Sequence, residues 1–114
     1  MPVYRCLESL PWEPHPTFPG VLRKLLLTGG AHGAPLTCML VKVPAGGSIP
    51  EHTHLESEDI ILPLSGRAKM FVDGEGTYTL EPGAWVRVPK DTRHRISEVE
   101  ETVILYDIFV PPTM

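Results

Sequence analysis

The chain has 114 residues, enough for one domain with a single sizeable core. Hydrophobic residues make up 42%, which excludes a disordered chain, and a formal charge of −4 with no run of Lys or Arg excludes a nucleic-acid surface. No stretch approaches the roughly 18 apolar residues of a membrane span, and MPVYRCLESLPW lacks a signal-peptide core. A soluble cytoplasmic protein without a membrane partner is expected.

Residues 1–20 contain Pro2, Pro11, Pro14, Pro16 and Pro19 and read as an extended N-terminal arm, leaving 21–114 as the domain proper. Trp12 and Phe18 are the expected anchors of that arm, and His15, between two prolines, reads as exposed. Cys6 and Cys38 are too few for a disulfide framework and read as buried thiols in a reducing compartment. Val21 to Leu27 is a strand ending at Thr28-Gly29-Gly30. The loop from Gly29 to Pro35 holds three glycines and His32 and reads as mobile. Leu36 to Val43 is the next strand, apolar on both faces, as in a sheet buried from both sides.

Gly46 to Gly66 carries the most chemistry. In extended chain, side chains at i and i+2 point the same way, so His52-Thr53-His54 presents two imidazoles on one side, as a metal ion requires. Glu56, Glu58 and Asp59 precede the apolar run Ile60-Ile61-Leu62-Pro63-Leu64, and a carboxylate entering that strand could be a third ligand. Imidazole with carboxylate suits Fe, Mn, Ni, Zn or Cu.

Beyond the histidines, Glu58 to Leu64 and Arg67 to Val72 flank Ser65-Gly66, a two-residue hairpin signal. Turns at Asp73-Gly74-Glu75-Gly76 and Glu81-Pro82-Gly83 bound strands at 77–80 and 84–88, and further strands follow at 94–99 and 102–110. Ala68, Met70 and Val72 share one strand face, and His94 shares a face with Ile96. No 3.6-residue apolar period persists, so about nine short strands describe an all-β sandwich or barrel.

Two segments together resemble the cupin superfamily, specifically its small single-domain members. The first cupin motif, G-x5-H-x-H-x3,4-E-x6-G, is matched by Gly46, His52, His54, Glu58 and Gly66, with one residue too many before the closing glycine. The second, G-x5-P-x-G-x2-H-x3-N, is matched by Gly83, Pro89 and His94, with Asp91 at the second glycine and Glu98 at the asparagine. Asp91 tolerates a left-handed turn better than most residues. The resemblance implies a jelly-roll barrel, also called a double-stranded β-helix. It further implies one divalent metal held by His52, His54, Glu58 and His94. The motif spacing also admits Asp59 as the acid. Adjacent strand residues face opposite sides, and turning Glu58 inward takes Ile60, Leu62 and Leu64 with it, which buries more apolar surface.

Three imidazoles and a carboxylate leave up to two metal positions open for a small molecule. The expected cavity lining is Met70, Trp85, Ile96, Leu105 and Phe109, with Lys42, Lys69, Arg87 and Tyr106 as polar side chains of unread direction. The resemblance implies a metal-dependent enzyme, an oxygenase-type activity first, with isomerase, decarboxylase or lyase open. A non-catalytic small-molecule-binding or sensory module is the alternative. It also implies a homodimer.

Overall fold

In a computed structural model, residues 4–114 are described; residues 1–3 of the expected arm lie outside them. The strands are β1 (Glu13–Pro14), β2 (Leu22–Leu27), β3 (Thr37–Val43), β4 (Ile49–His52), β5 (Glu58–Val72), β6 (Gly76–Leu80), β7 (Val86–Val88) and β8 (His94–Val110). Every pairing is antiparallel. The fold is the expected all-β barrel.

Two long strands make the barrel by passing from one sheet into the other. The first half of β5 and the second half of β8 lie together between β7 and β3, and β2 and β1 extend that sheet outward from β3. The second half of β5 and the first half of β8 continue into an opposing sheet edged by β6 and β4. The inner faces meet in one apolar core around Val43, Met70, Val72, Leu80, Val103 and Leu105.

Each long strand breaks its alternation once, where it changes sheets. In β5 the inward side chains are Asp59, Ile61 and Pro63 before the break and Ala68, Met70 and Val72 after it. The register with β8 shifts repeatedly between Pro63 and Lys69. Gly66 lies there at φ +87°, packed so closely on β8 that a Cβ would overlap the Thr102 carbonyl oxygen and sit 2.6 Å from Val103 Cα. Ser65-Gly66 is therefore an irregularity inside one strand, not the expected hairpin turn. In β8 the inward set runs His94 and Ile96, then Val103, Leu105, Asp107 and Phe109. Between Lys69↔Ser97 and Arg67↔Glu101, β8 advances four residues against two of β5, a bulge marked by Glu98 at φ +49°.

The N-terminal segment is anchored on the barrel and adds β1 to its sheet. After a single 3-10 turn (Leu7–Ser9), Trp12 lies beneath two ammonium groups, Lys24 Nζ at 4.6 Å and Lys42 Nζ at 4.9 Å from its ring centre. Lys24 also donates to Leu7 O at 2.7 Å, which satisfies a cation that is otherwise buried. These contacts place the N-terminal segment on the outer face of β2 and β3, where Cys38 and Leu40 are buried.

The glycine loop after β2 differs from its expectation, because Gly29–His32 forms one helical turn. Thr28 Oγ1 accepts from Ala31 N–H at 3.0 Å, and Gly33 ends the turn at φ +64°. Cys38 is buried as expected, whereas Cys6 is exposed. No helix among the described residues is long and apolar enough to cross a membrane.

Candidate metal centre

β4 ends at His52, and the chain then loops through His54 into β5, while His94 opens β8 directly across from His52. The ring centres of His52 and His94 are 4.1 Å apart, those of His52 and His54 4.9 Å, and those of His54 and His94 5.3 Å. One nitrogen from each ring lies within 4.8 Å of the others. Cis ligand atoms on an ion at about 2.1 Å stand about 3 Å apart, so these three residues are positioned to bind a metal.

Local hydrogen bonds select which nitrogen is offered. His52 Nδ1 lies 2.8 Å from the Pro50 carbonyl and His94 Nδ1 lies 2.9 Å from the Thr92 carbonyl. A carbonyl only accepts, so each Nδ1 carries the proton and each Nε2 keeps its lone pair. The loop before β8 is tied to the histidine loop by Asp91 N–H donating to His54 O at 2.7 Å. Asp91 holds that contact at φ +56°, the left-handed turn that the missing glycine would otherwise have served.

The carboxylate beside the rings is Asp59. Its Oδ2 is 3.8 Å from His54 Nε2 and 3.7 Å from His94 Nε2, and its side chain is buried. Glu58, the acid expected there, faces outward on the same strand. It accepts from Arg87 Nε at 3.0 Å and Nη2 at 2.7 Å, a bidentate surface pair that holds its carboxyl below the usual range. Leu62 and Leu64 face outward with it, 40% and 47% exposed, while Ile61 lines the interior. The expected facing of this half-strand is thus reversed, because the break at Gly66 exchanges its two faces.

Burial sets the electrostatics. It pushes His54 and His94 each down to about 4, which leaves both imidazoles neutral, the ligating form, at ordinary pH. Burial pushes Asp59 up to about 6, against the hydrogen bond from its neighbour Asp107. Asp107 is likewise raised, by burial first and then by the Asp59 charge beside it. His94 Nε2 and Asp59 Oδ1 are both buried without a hydrogen-bond partner. Orphaned acceptors of this kind on a converging donor set fit a bound cation.

The centre opens into a cavity of about 350 Å³. Its walls are Met39, Val41, Ile61, Ile96, Leu105 and Phe109, with Asp107 and Arg23 as polar groups. Three of the expected lining residues, Ile96, Leu105 and Phe109, are in place. Met70 is instead sealed in the core, Trp85 is 62% exposed outside the barrel, and none of Lys42, Lys69, Arg87 or Tyr106 lines the cavity.

His15 also departs from its expectation. It stacks on Phe18 at 4.7 Å, Phe18 contacts His52 at 4.9 Å, and all three line the cavity. His32 stays exposed and away from the centre, accepting from Thr28 N–H at 3.1 Å. Sequence reasoning missed Asp107 and Arg23, although the period of two carried past the β8 bulge would have placed Asp107 with Leu105 and Phe109.

A family profile described as a cupin domain matches residues 39–109. The polyketide synthase CurC of Streptomyces cyaneus is 34% identical over 89 residues, covering 76% of this chain and 56% of that protein. The chain thus spans little more than half of that relative. An RmlC-like cupin from Shewanella frigidimarina NCIMB 400 superposes with a TM-score of 0.82 at 20% identity, covering 99% of this chain and 94% of the other. KdgF from a Halomonas species gives 0.81 at 24% identity, covering 96% and 94%. At these identities the likeness shows the fold.

Proposed function

The chain belongs to the cupin family, and from that premise we propose that it is a metal-dependent enzyme acting on a small organic molecule, with an oxygenase-type reaction first. The observation that carries this is the convergence of His52, His54 and His94 beside a buried carboxylate, at the wall of a largely apolar cavity. His52, His54, His94 and Asp59 would hold one divalent transition ion, with Asp59 in the place first given to Glu58. Such an ion supplies Lewis-acid or one-electron chemistry to an oxygen-bearing ligand.

The remaining residues act around it. Pro50 O and Thr92 O fix two of the imidazoles, and Asp107, its carboxyl raised by burial and by the Asp59 charge, lines the cavity beside Asp59. Met39, Val41, Leu105 and Phe109 exclude water and select a carbon-rich substrate. The relation to a polyketide synthase protein supports a polyketide-derived compound as the first class to try. Such chains repeat carbonyl oxygens along an apolar backbone, which suits both the ion and the walls.

We also read the protein as a cytoplasmic homodimer. The outer face of β5 leaves Leu62 and Leu64 partly exposed, with Tyr106 across from Leu62, which supports pairing through that face. The test of the enzymatic reading is oxygen uptake by Fe(II)- or Mn(II)-loaded protein over a panel of small acids, phenols and β-dicarbonyl compounds. Uptake that requires both metal and compound is expected. Tight binding of a compound with no turnover would favour the binding-module alternative.

A further inference from the structure

Arg23 extends from β2 to the wall of the cavity. Its Nε is buried and has no acceptor. The guanidinium makes one hydrogen-bond-range contact among the described residues, Nη1 to the Met114 sulfur at 3.5 Å, and a thioether is a weak acceptor. Arg67, Arg87, Arg93 and Arg95 each lie within 4 Å of a carboxylate, whereas among the described residues Arg23 does not. Arg23 is half-buried and its Nη1 contact is exposed, so the unmet donor is the buried Nε on the cavity wall, which an anion brought into the cavity would satisfy.

A second donor stands close by. His15 Nδ1 accepts from the backbone N–H groups of Thr17 at 3.1 Å and Phe18 at 3.3 Å, so its proton is on Nε2. The Arg23 charge is near enough to help burial keep this imidazole neutral. The planar fork of a guanidinium matches the two oxygens of a carboxylate. Met39, Val41 and Leu105 would surround the rest of such a molecule with apolar surface.

We propose that Arg23, assisted by the Nε2–H of His15, binds a carboxylate group of the cavity's ligand, so that the substrate is an organic acid with an apolar body. This rests on reading the cavity as the substrate pocket, but it does not require the metal. Benzoate and its neutral isostere benzamide are suitable probes, titrated calorimetrically into metal-free and zinc-loaded protein, each as wild type, Arg23→Gln and Arg23→Lys.

Benzoate is expected to bind the wild type in preference to benzamide. Arg23→Gln should weaken benzoate at least tenfold while leaving benzamide unchanged, and Arg23→Lys should fall between them. An unchanged benzamide affinity shows that the variant still folds. Equal binding of the two probes, binding of neither, or benzoate affinity that ignores Arg23 and follows only zinc would overturn the assignment. In the last case the metal centre stands. A chain that takes up no zinc yet prefers benzoate through Arg23 would instead overturn the metal reading alone.

Discussion

His94 shows how one residue is committed to its task. Its Nδ1–H is used by the Thr92 carbonyl, its Nε2 faces the shared point, and burial keeps the ring neutral to about pH 4. Asp59 runs the other way, held up at about 6 by the same burial. The signs follow from proton counting. The unfolded chain takes up imidazole protons between about 6.5 and 4 that the folded chain refuses. The contribution of His54 and His94 to stability is therefore present above that window and lost as pH falls through it. The raised carboxyls of Asp59 and Asp107 oppose this, since keeping them ionised in the interior costs stability and protonation removes that cost as pH falls. For metal binding the two effects act together, because both ligand types must be deprotonated. Zinc affinity should fall as pH drops through about 6, where Asp59 takes up a proton, and fall more steeply near 4, where His54 and His94 do. An affinity that stays flat from pH 7 to 5 would contradict this placement of the carboxylate. His52 and His54 were legible from the H-x-H triplet together with the first cupin motif, and His94 from the second motif alone. The acid was not, since the outer face carries Leu62 and Leu64 and counting apolar residues cannot tell it from the inside.

At the scale of elements, Gly66 and Glu98 decide which residues reach the cavity. A strand with unbroken alternation would put Glu58 on the face of Met70; the irregularity at Gly66 puts Asp59 there instead. The bulge in β8 likewise lets an even-numbered His94 and odd-numbered Asp107 and Phe109 share one interior. Strand positions were readable from turn residues, but these face exchanges arise from contacts between β5 and β8 that are distant in sequence. Gly66→Ala combines a left-handed backbone penalty with overlap against Thr102 and Val103, and it should destabilise the protein by at least about 2 kcal/mol in chemical denaturation. A loss under about 0.5 kcal/mol would mean that β8 is not so close. The arm is an element with its own logic: Trp12 lies outside the barrel beneath Lys24 and Lys42, while Phe18 packs on His52 and His15 stacks on Phe18.

For the whole molecule, two apolar surfaces have different uses. The inner one is the core and cavity. The outer one, where Leu62 and Leu64 remain partly exposed beside Tyr106, is the surface on which two copies would pair. Light scattering at micromolar concentration should give twice the chain mass, and Leu62→Lys with Leu64→Lys should return the monomer; a wild-type monomer would contradict the dimer. The barrel was legible from spaced turns and the two motifs, whereas Arg23 was not, since no local pattern marks a charged residue that turns inward from a strand rich in leucine. The central claim is that three imidazoles and Asp59 hold one ion. Its most direct test is metal content per chain, by elemental analysis, for the wild type, His94→Ala, Asp59→Asn, Glu58→Gln and His32→Ala. One equivalent is predicted in the wild type, Glu58→Gln and His32→Ala, and a near-complete loss in His94→Ala and Asp59→Asn. Metal retained in His94→Ala, or lost in Glu58→Gln while Asp59→Asn keeps it, would contradict the account.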